Sequence, residues 1–429
     1  MFFIYHSCFA QDRNSIWCFG DSAGIDFNNL GSPMPIHSIA KSRGTSASIC
    51  DTSGHLLFYA SYNTQILWGG SLANGEVYNR NHHLMQNGDS IFYQSWYQEA
   101  VIVPSVSDSL QYYLFSVGVT SNYGLYYSIV DMNLDSGNGA VIQKNVQLNN
   151  YPASDGIIAV KHGDGRDWWV IARRGDTISD EFYEFLVSPA GISGPTIINA
   201  GSLAHPNNYF TAFSKSGNKF VGTNPSGLIE LFDFDRCSGN ITLNQTISPE
   251  ATAAPWPYYW ISAFSPNENY LYVSSSGVNH PTYLVQYDLT APVISNTADT
   301  LWTYSTTEEA GGTLHLAPDG KIYLACAYSD GVHYNFPYPD STFNIVNNNL
   351  SVINYPDSPG VACGFAPFSF NLGQRRCYWG LPNNPDYELG PDTNSLCDTV
   401  LAVNREPSTV NSALHVFYHR GWQIAFINA

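Results

Sequence analysis

Six short apolar runs recur along the chain at nearly constant intervals. HLLFYA ends at Ala60, QYYLFS at Ser116, WWVIA at Ala172, KFVGT at Thr223, YLYVS at Ser274 and KIYLA at Ala325, so the spacings are 56, 56, 51, 51 and 51 residues. Each run is preceded by a second apolar strand (SASIC, AVIVP, GIIAV, TAFS, ISAFS, TLHLAP) and a turn such as DTSG, KSG, PNEN or PDG. Strand, polar turn, strand is the outline of a β-hairpin. A hairpin repeated at a period of about 50 residues marks a solenoid or a propeller. A degenerate seventh copy is expected where ACGFAP precedes CYWGL, which ends at Leu381.

Behind the hairpins lie further alternating runs, GLYYSIVDM, EFYEFLV, LIELFDFD and TYLVQYDL, giving about four short strands to each unit of about 52 residues. Four-stranded units in tandem are the blades of a propeller, whose radial arrangement leaves few exposed sheet edges. The stretch from Ser15 to Pro382 supplies 368 positions, room for seven blades. The prediction is an all-β, seven-bladed β-propeller, with the N-terminal SIWCFGDSAGIDFN completing the last blade. Composition agrees: 44% of the 429 residues are hydrophobic and only 12% charged, with 29 Tyr, 23 Phe, 35 Gly and 24 Pro. Aromatic residues favour strands and Gly and Pro favour tight turns.

The net charge of -18 opposes binding to phosphate backbones, so nucleic acid is excluded as a partner. No apolar run approaches the roughly 18 residues a membrane helix needs. The segment MFFIYHSCFAQD reads as the end of a secretory signal peptide with Ala10 before the cleavage point, although a basic start is missing. The domain division expected is a signal remnant over 1–10, the propeller over 11–384, a linker over 385–410 and a further segment over 411–429. The chain is expected to be an exported monomer. Seven cysteines follow the signal, none in a C-x-x-C pair, which gives no support to a zinc site. In an oxidising compartment Cys377 and Cys397 are expected to pair, closing a loop of 20 residues, and the odd count leaves a free thiol. Cys326, in IYLACAY, reads as a buried small hydrophobe.

IWCFGDSAGIDFNNLGSP, DTSGHLLFYA, VYNRNHHLMQNG, LFDFDRCSG, AFSPNENYLYV, VINYPDSPGVACGF and YWGLPNN, in that order, resemble a family of large β-propellers exported by the type IX secretion system. The resemblance runs from about Ile16 to Asn384 and implies an extracellular or cell-surface propeller, without naming a ligand. The end, ALHVFYHRGWQIAFINA, is similar to the opening of the C-terminal sorting module of such proteins, but stops at Ala429, short of a full module.

Catalytic patterns are weak. FGDSAG offers Ser22 as a nucleophile, GVNH at 277–280 an oxyanion block, and Asp330 with His333 a D-x-x-H base, but the residues after Ser22 form no helix and the other two sit in turns. HGDGRDWW at 162–169 approaches a sialidase-type turn, yet its Asp164 and Gly165 are adjacent. His82 and His83 point to opposite faces of a strand and cannot chelate together. No cofactor is expected beyond a structural Ca²⁺ on D-x-D or D-x-N carboxylates such as Asp233 with Asp235, or Asp131 with Asn133.

The segments entering the innermost strands carry the candidate site. They bring Trp96, Tyr97, Glu99, Tyr151, Asp155, Asn207, Asn208, Tyr209, Trp256, Tyr258, Tyr259, Trp260, Glu308 and Glu309 toward one mouth of the channel. Aromatic platforms beside carboxylates and amides suit a sugar ring or a protein hot spot. The alternative is that these rings wedge between blades. The function expected is therefore a non-catalytic propeller that binds carbohydrate or a surface protein; a propeller hydrolase and a purely structural surface protein are the other readings.

Overall fold

The structure is a computed structural model that describes residues 12–62, 74–94, 96–119, 124–205, 208–252, 256–277, 280–304, 311–328, 338, 342–393 and 395–397, with two short strands, Val416–His419 and Trp422–Ala425, further on. The expected signal segment lies outside the described residues. So do Asn207, Glu308, Glu309, Asn279, Asp330 and His333.

The chain forms seven four-stranded antiparallel blades around an axis, and the described residues include no α-helix. The first three strands, β1 (Ile16–Phe19), β2 (Asp21–Asp26) and β3 (Met34–Lys41), make one sheet. The next blade holds β4 (Ala47–Cys50), β5 (Leu56–Tyr62) and β6 (Gly75–Asn79), and the chain at Leu84 and Ile91 bridges to β6 as its outer edge. Three meanders follow: β7 to β10 (Ala100–Pro104, Gln111–Gly118, Gly124–Asp131, Ala140–Asn149), β11 to β14 (Ile158–Lys161, Trp168–Arg173, Ser179–Ser188, Gly191–Ala204) and β15 to β18 (Phe210–Phe213, Lys219–Thr223, Ile229–Phe234, Ile241–Ser248). Two more hold β19 to β22 (Ala263–Phe264, Tyr270–Gly277, His280–Asp288, Asp299–Tyr304) and β23 to β26 (Leu314–Leu316, Ile322–Leu324, Asn349–Ile353, Phe365–Asn371). Among the described residues no helix is long and apolar enough to cross a membrane.

Burial falls from axis to rim, and the residue patterns follow it. Innermost β4 is buried at every position and so is β7 up to its last residue, whereas rim strands such as β14 and β26 alternate or stand open. An inner strand is covered on both faces by neighbouring blades, so its residues are mostly apolar or small; a rim strand keeps one wet face. The core therefore lies between the blades. One packed group joins Ile158, Ile171 and Phe182 of one blade to Phe220, Phe232 and Phe234 of the next.

The six regular repeats are the inner hairpins of six blades: β4–β5, β7–β8, β11–β12, β15–β16, β19–β20 and β23–β24. The expected seventh hairpin is not one. ACGFAP starts the rim strand β26, which pairs with β25, while CYWGL runs at the axis of the following blade. There Asp21, at the start of β2, forms an antiparallel bridge with Arg376. The closing blade is thus built from both ends of the chain.

Candidate functional site

The two mouths of the ring differ. At the end where the innermost strands begin, converging side chains meet on the axis and pack. Tyr97 lies 4.5 Å from Trp260 and 5.6 Å from Phe210, ring centroid to centroid, and Trp260 stacks on Trp379 at 6.2 Å. The Arg43 guanidinium lies 4.9 to 5.3 Å from the rings of Trp379, Trp96 and Tyr97, and it donates to the Tyr97 hydroxyl at 2.9 Å. Such cation–π contacts gain strength where the charge is desolvated.

The expected site residues described at this mouth are mostly buried or half-buried. Tyr97, Tyr209 and Trp260 are buried, and Glu99 and Asp155 show no exposure. The Tyr209 hydroxyl donates to Glu230 at 3.2 Å, with the Arg173 guanidinium 4.0 Å above its ring. Glu99 accepts the backbone N–H groups of Gln94 and Trp96 at 3.0 and 2.7 Å. Asp155 accepts the Tyr97 N–H at 3.2 Å, and burial pushes its carboxyl up to about 7, only partly countered by that bond and by Arg43. Trp96, Asn208, Tyr258 and Tyr259 are half-buried, Tyr259 against the inter-blade core. Among the described candidates only Trp256, 37% exposed, and Tyr151, 44% exposed and stacked on Tyr183, stand open to solvent. Convergence explains the difference: residues entering the axis from several blades share one small volume and exclude water from it.

The opposite mouth, where the innermost strands end, holds an axial cavity of about 390 Å³, within the range typical of small-molecule sites. Its walls come from β11, β15, β19 and β23 and from the tail after Leu381. Two amides bolt its base. Gln98 Nε2 donates to Thr211 O at 2.7 Å and to Asn383 Oδ1 at 3.1 Å, and its Oε1 accepts Thr211 N–H at 3.0 Å. Asn383 Nδ2 donates to the carbonyls of Ala100 and Ile157 at 2.9 and 2.8 Å, so one side chain ties successive blades together. Apolar walls with a few fixed polar groups orient a ligand without supplying a charge.

His315 lines this cavity with its ring 5.0 Å from Trp17, and burial lowers it to about 4, so the imidazole is neutral at pH 7. Lys215 at the rim is held by Asp386 at 2.8 Å. Asp12 and Glu388 stand with it on the lining, and burial followed by the Asp386 charge raises Glu388. The rim is thus acidic, with its lysine already neutralised.

The described part of the segment expected to be a linker, up to Cys397, crosses this mouth. Tyr387 is buried and donates to Ile102 O at 2.9 Å, Arg236 donates to Gly390 O at 2.6 Å, and Cys397 is bonded to Cys237 with Cα atoms 5.6 Å apart. This corrects the expected Cys377–Cys397 pair. Cys377 is buried at the axis of the closing blade, whereas the tail carries Cys397 across the mouth to the third turn of another blade. The run PNNPD, just after the axial CYWGL, is the sequence signal for this crossing that repeat counting passed over.

The other described motifs resolve into blade strands and the turns between them. Ser22 lies in β2 with φ 65°, and its carbonyl, not its hydroxyl, faces His37 Nδ1 at 3.4 Å. Asp164 accepts the N–H groups of Arg166 and Asp167 at 2.9 and 3.0 Å in a blade hairpin. Asp131 and Asp235 likewise accept N–H groups of Asn133 and Cys237, while Asp233 accepts the Asn244 amide. Among the described residues no cluster of three or more His, Cys, Asp or Glu side chains has the geometry to hold a metal ion.

No known family model matches the chain, and no curated protein matches it by sequence. Solved structures resemble it in fold. A Bacteroides fragilis structure provisionally described as a 6-phosphogluconolactonase has TM-score 0.49 and 11% identity over 85% of this chain and 96% of its own. A Bacteroides uniformis structure of the same provisional description has TM-score 0.46 and 15% identity over 80% and 92%. The periplasmic gluconolactonase of Pseudomonas aeruginosa has TM-score 0.47 and 14% identity over 79% and 90%. At such identities and TM-scores the likeness carries nothing about the chemistry of this chain.

Proposed function

We propose that this propeller is a non-catalytic binding protein that takes a neutral carbohydrate in the axial cavity beside His315, and that it acts outside the cytosol. The observation that carries the reading is the contrast between the mouths: one is plugged by Tyr97, Phe210, Trp260 and Trp379, the other keeps a cavity of about 390 Å³. The rim argues for a neutral ligand. A carboxylate or phosphate asks for free arginine or lysine, and Lys215 is committed to Asp386 next to Glu388 and Asp12. A polyol instead suits amide and hydroxyl groups above an apolar wall. The Cys237–Cys397 bond supports an oxidising location, in keeping with the export implied by the type IX resemblance.

Screening the purified chain against neutral and acidic glycans, with His315→Phe and Trp256→Ala alongside, tests this. Loss of one buried hydrogen bond to the ligand should weaken binding about tenfold in His315→Phe, and Trp256→Ala should leave it unchanged. Binding lost in Trp256→Ala and kept in His315→Phe would move the site to the aromatic mouth. A preference for acidic glycans would contradict the rim argument.

A further inference from the structure

Five described cysteines are buried free thiols, and four of them stand in two pairs, one at each seam of the closing blade. At one seam Cys18 of β1 and Cys50 of β4 have no exposure and pack in one group with Ile16, Ala40 and Tyr59. Ser48 Oγ donates to Ile16 O at 2.7 Å and presses β4 onto β1. The neighbouring Cys50 adds to burial in holding the Cys18 thiol up. At the other seam Cys377 Sγ donates to the carbonyl of Cys326 at 3.2 Å, and Cys377 likewise adds to burial in raising Cys326. The first pair joins β1 to β4, and the second joins the chain two residues past β24 to the axial chain beside Arg376. Cys363 lies apart, in a turn before the rim strand β26.

The position of these pairs is what calls for a role. The other blades are continuous in sequence, so their strands cannot part without unfolding a meander. The closing blade alone unites β1–β3 with the chain at Arg376, by pairing and packing only. Opening the ring there breaks no connection along the chain.

We propose that these are two latent cross-link sites, Cys18–Cys50 and Cys326–Cys377, which oxidation converts into disulfides that fasten the closing blade covalently to both neighbours. The oxidant is an external disulfide. One thiolate attacks it, releasing one thiol and forming a mixed disulfide; the partner cysteine then displaces the second thiol. Each new bond passes two electrons and two protons to the oxidant. Burial dictates the timing. It pushes the Cys50 thiol up to about 12, leaving little thiolate in the closed ring. The bonds therefore form while the blade is open, during folding, and not by attack on the finished ring.

The test is oxidative refolding of the full chain in a mixture of oxidised and reduced glutathione, followed by alkylation in denaturant and peptide mapping without reduction. Most molecules should yield linked peptides carrying Cys18 with Cys50 and Cys326 with Cys377, beside Cys237 with Cys397. Chain folded first under reducing conditions and then given the same oxidant should acquire them at least tenfold more slowly. In Cys18→Ala, Cys377→Ala the partners Cys50 and Cys326 should be alkylated instead. Recovery of all four cysteines as alkylated thiols in wild-type chain whose Cys237–Cys397 bond is intact would overturn the proposal. Cross-links between the seams, such as Cys18 with Cys326, would do the same.

Discussion

Asp155 should make the ring less stable as the pH rises toward neutrality, and replacing it with asparagine should remove that dependence. The carboxyl shows no exposure, receives one backbone N–H at 3.2 Å, and titrates at about 7 against the ordinary 3.8. A folded-state value above the unfolded one means that the native protein holds more protons between these limits. The contribution is therefore fully present below pH 3.8 and is lost as the pH rises through about 7. Each pH unit in that interval is worth about 1.4 kcal/mol, so the whole interval sums to roughly 4 kcal/mol. Asparagine keeps the shape and the acceptor for the Tyr97 N–H but cannot ionise. Urea unfolding of wild type and Asp155→Asn at pH 4, 6 and 8 should give nearly equal stabilities at pH 4 and an advantage of up to about 4 kcal/mol for the variant at pH 8. A difference between the two proteins that stays constant from pH 4 to 8 would refute the reasoning, because it would mean that Asp155 titrates alike in both states.

Two further outcomes follow from the same geometry. Arg173→Met should cost about 3 to 5 kcal/mol, since it leaves Glu230 buried beside Tyr209 without its cation; adding Glu230→Gln should recover part of the loss in the same unfolding assay. A chain starting at Ser46 lacks β1–β3 and exposes the axial strand at Arg376, so it should aggregate, and a soluble monomer in sedimentation would show that closure does not depend on these strands.

The inner hairpins were legible because the physics that places them is local. A strand such as AVIVP, buried on both faces, must be apolar throughout, and its turn must carry residues such as Ser, Asp or Gly, so each copy writes the same pattern. Where the chain leaves the repeat, the pattern has no hold. ACGFAP and CYWGL resemble a hairpin in composition, yet the first is a rim strand and the second an axial one, and only the closure of the ring separates them. The candidate site suffered from the same limit. Sequence brought Tyr97, Tyr209 and Trp260 together, yet Tyr97 and Trp260 pack on each other at the axis while Tyr209 wedges between two blades, and which of these a ring does depends on the width of the axis, a property of all seven blades together. The partner of Cys397 lies 160 residues away, across a mouth that exists only after the ring has formed, so nearness in sequence favoured Cys377 and misled. The same ring geometry brings Cys18 to Cys50 and Cys326 to Cys377. Contacts that depend on closure are thus the ones that sequence hides, and they gather at the two places where closure is completed: the composite blade and the tail that crosses the open mouth.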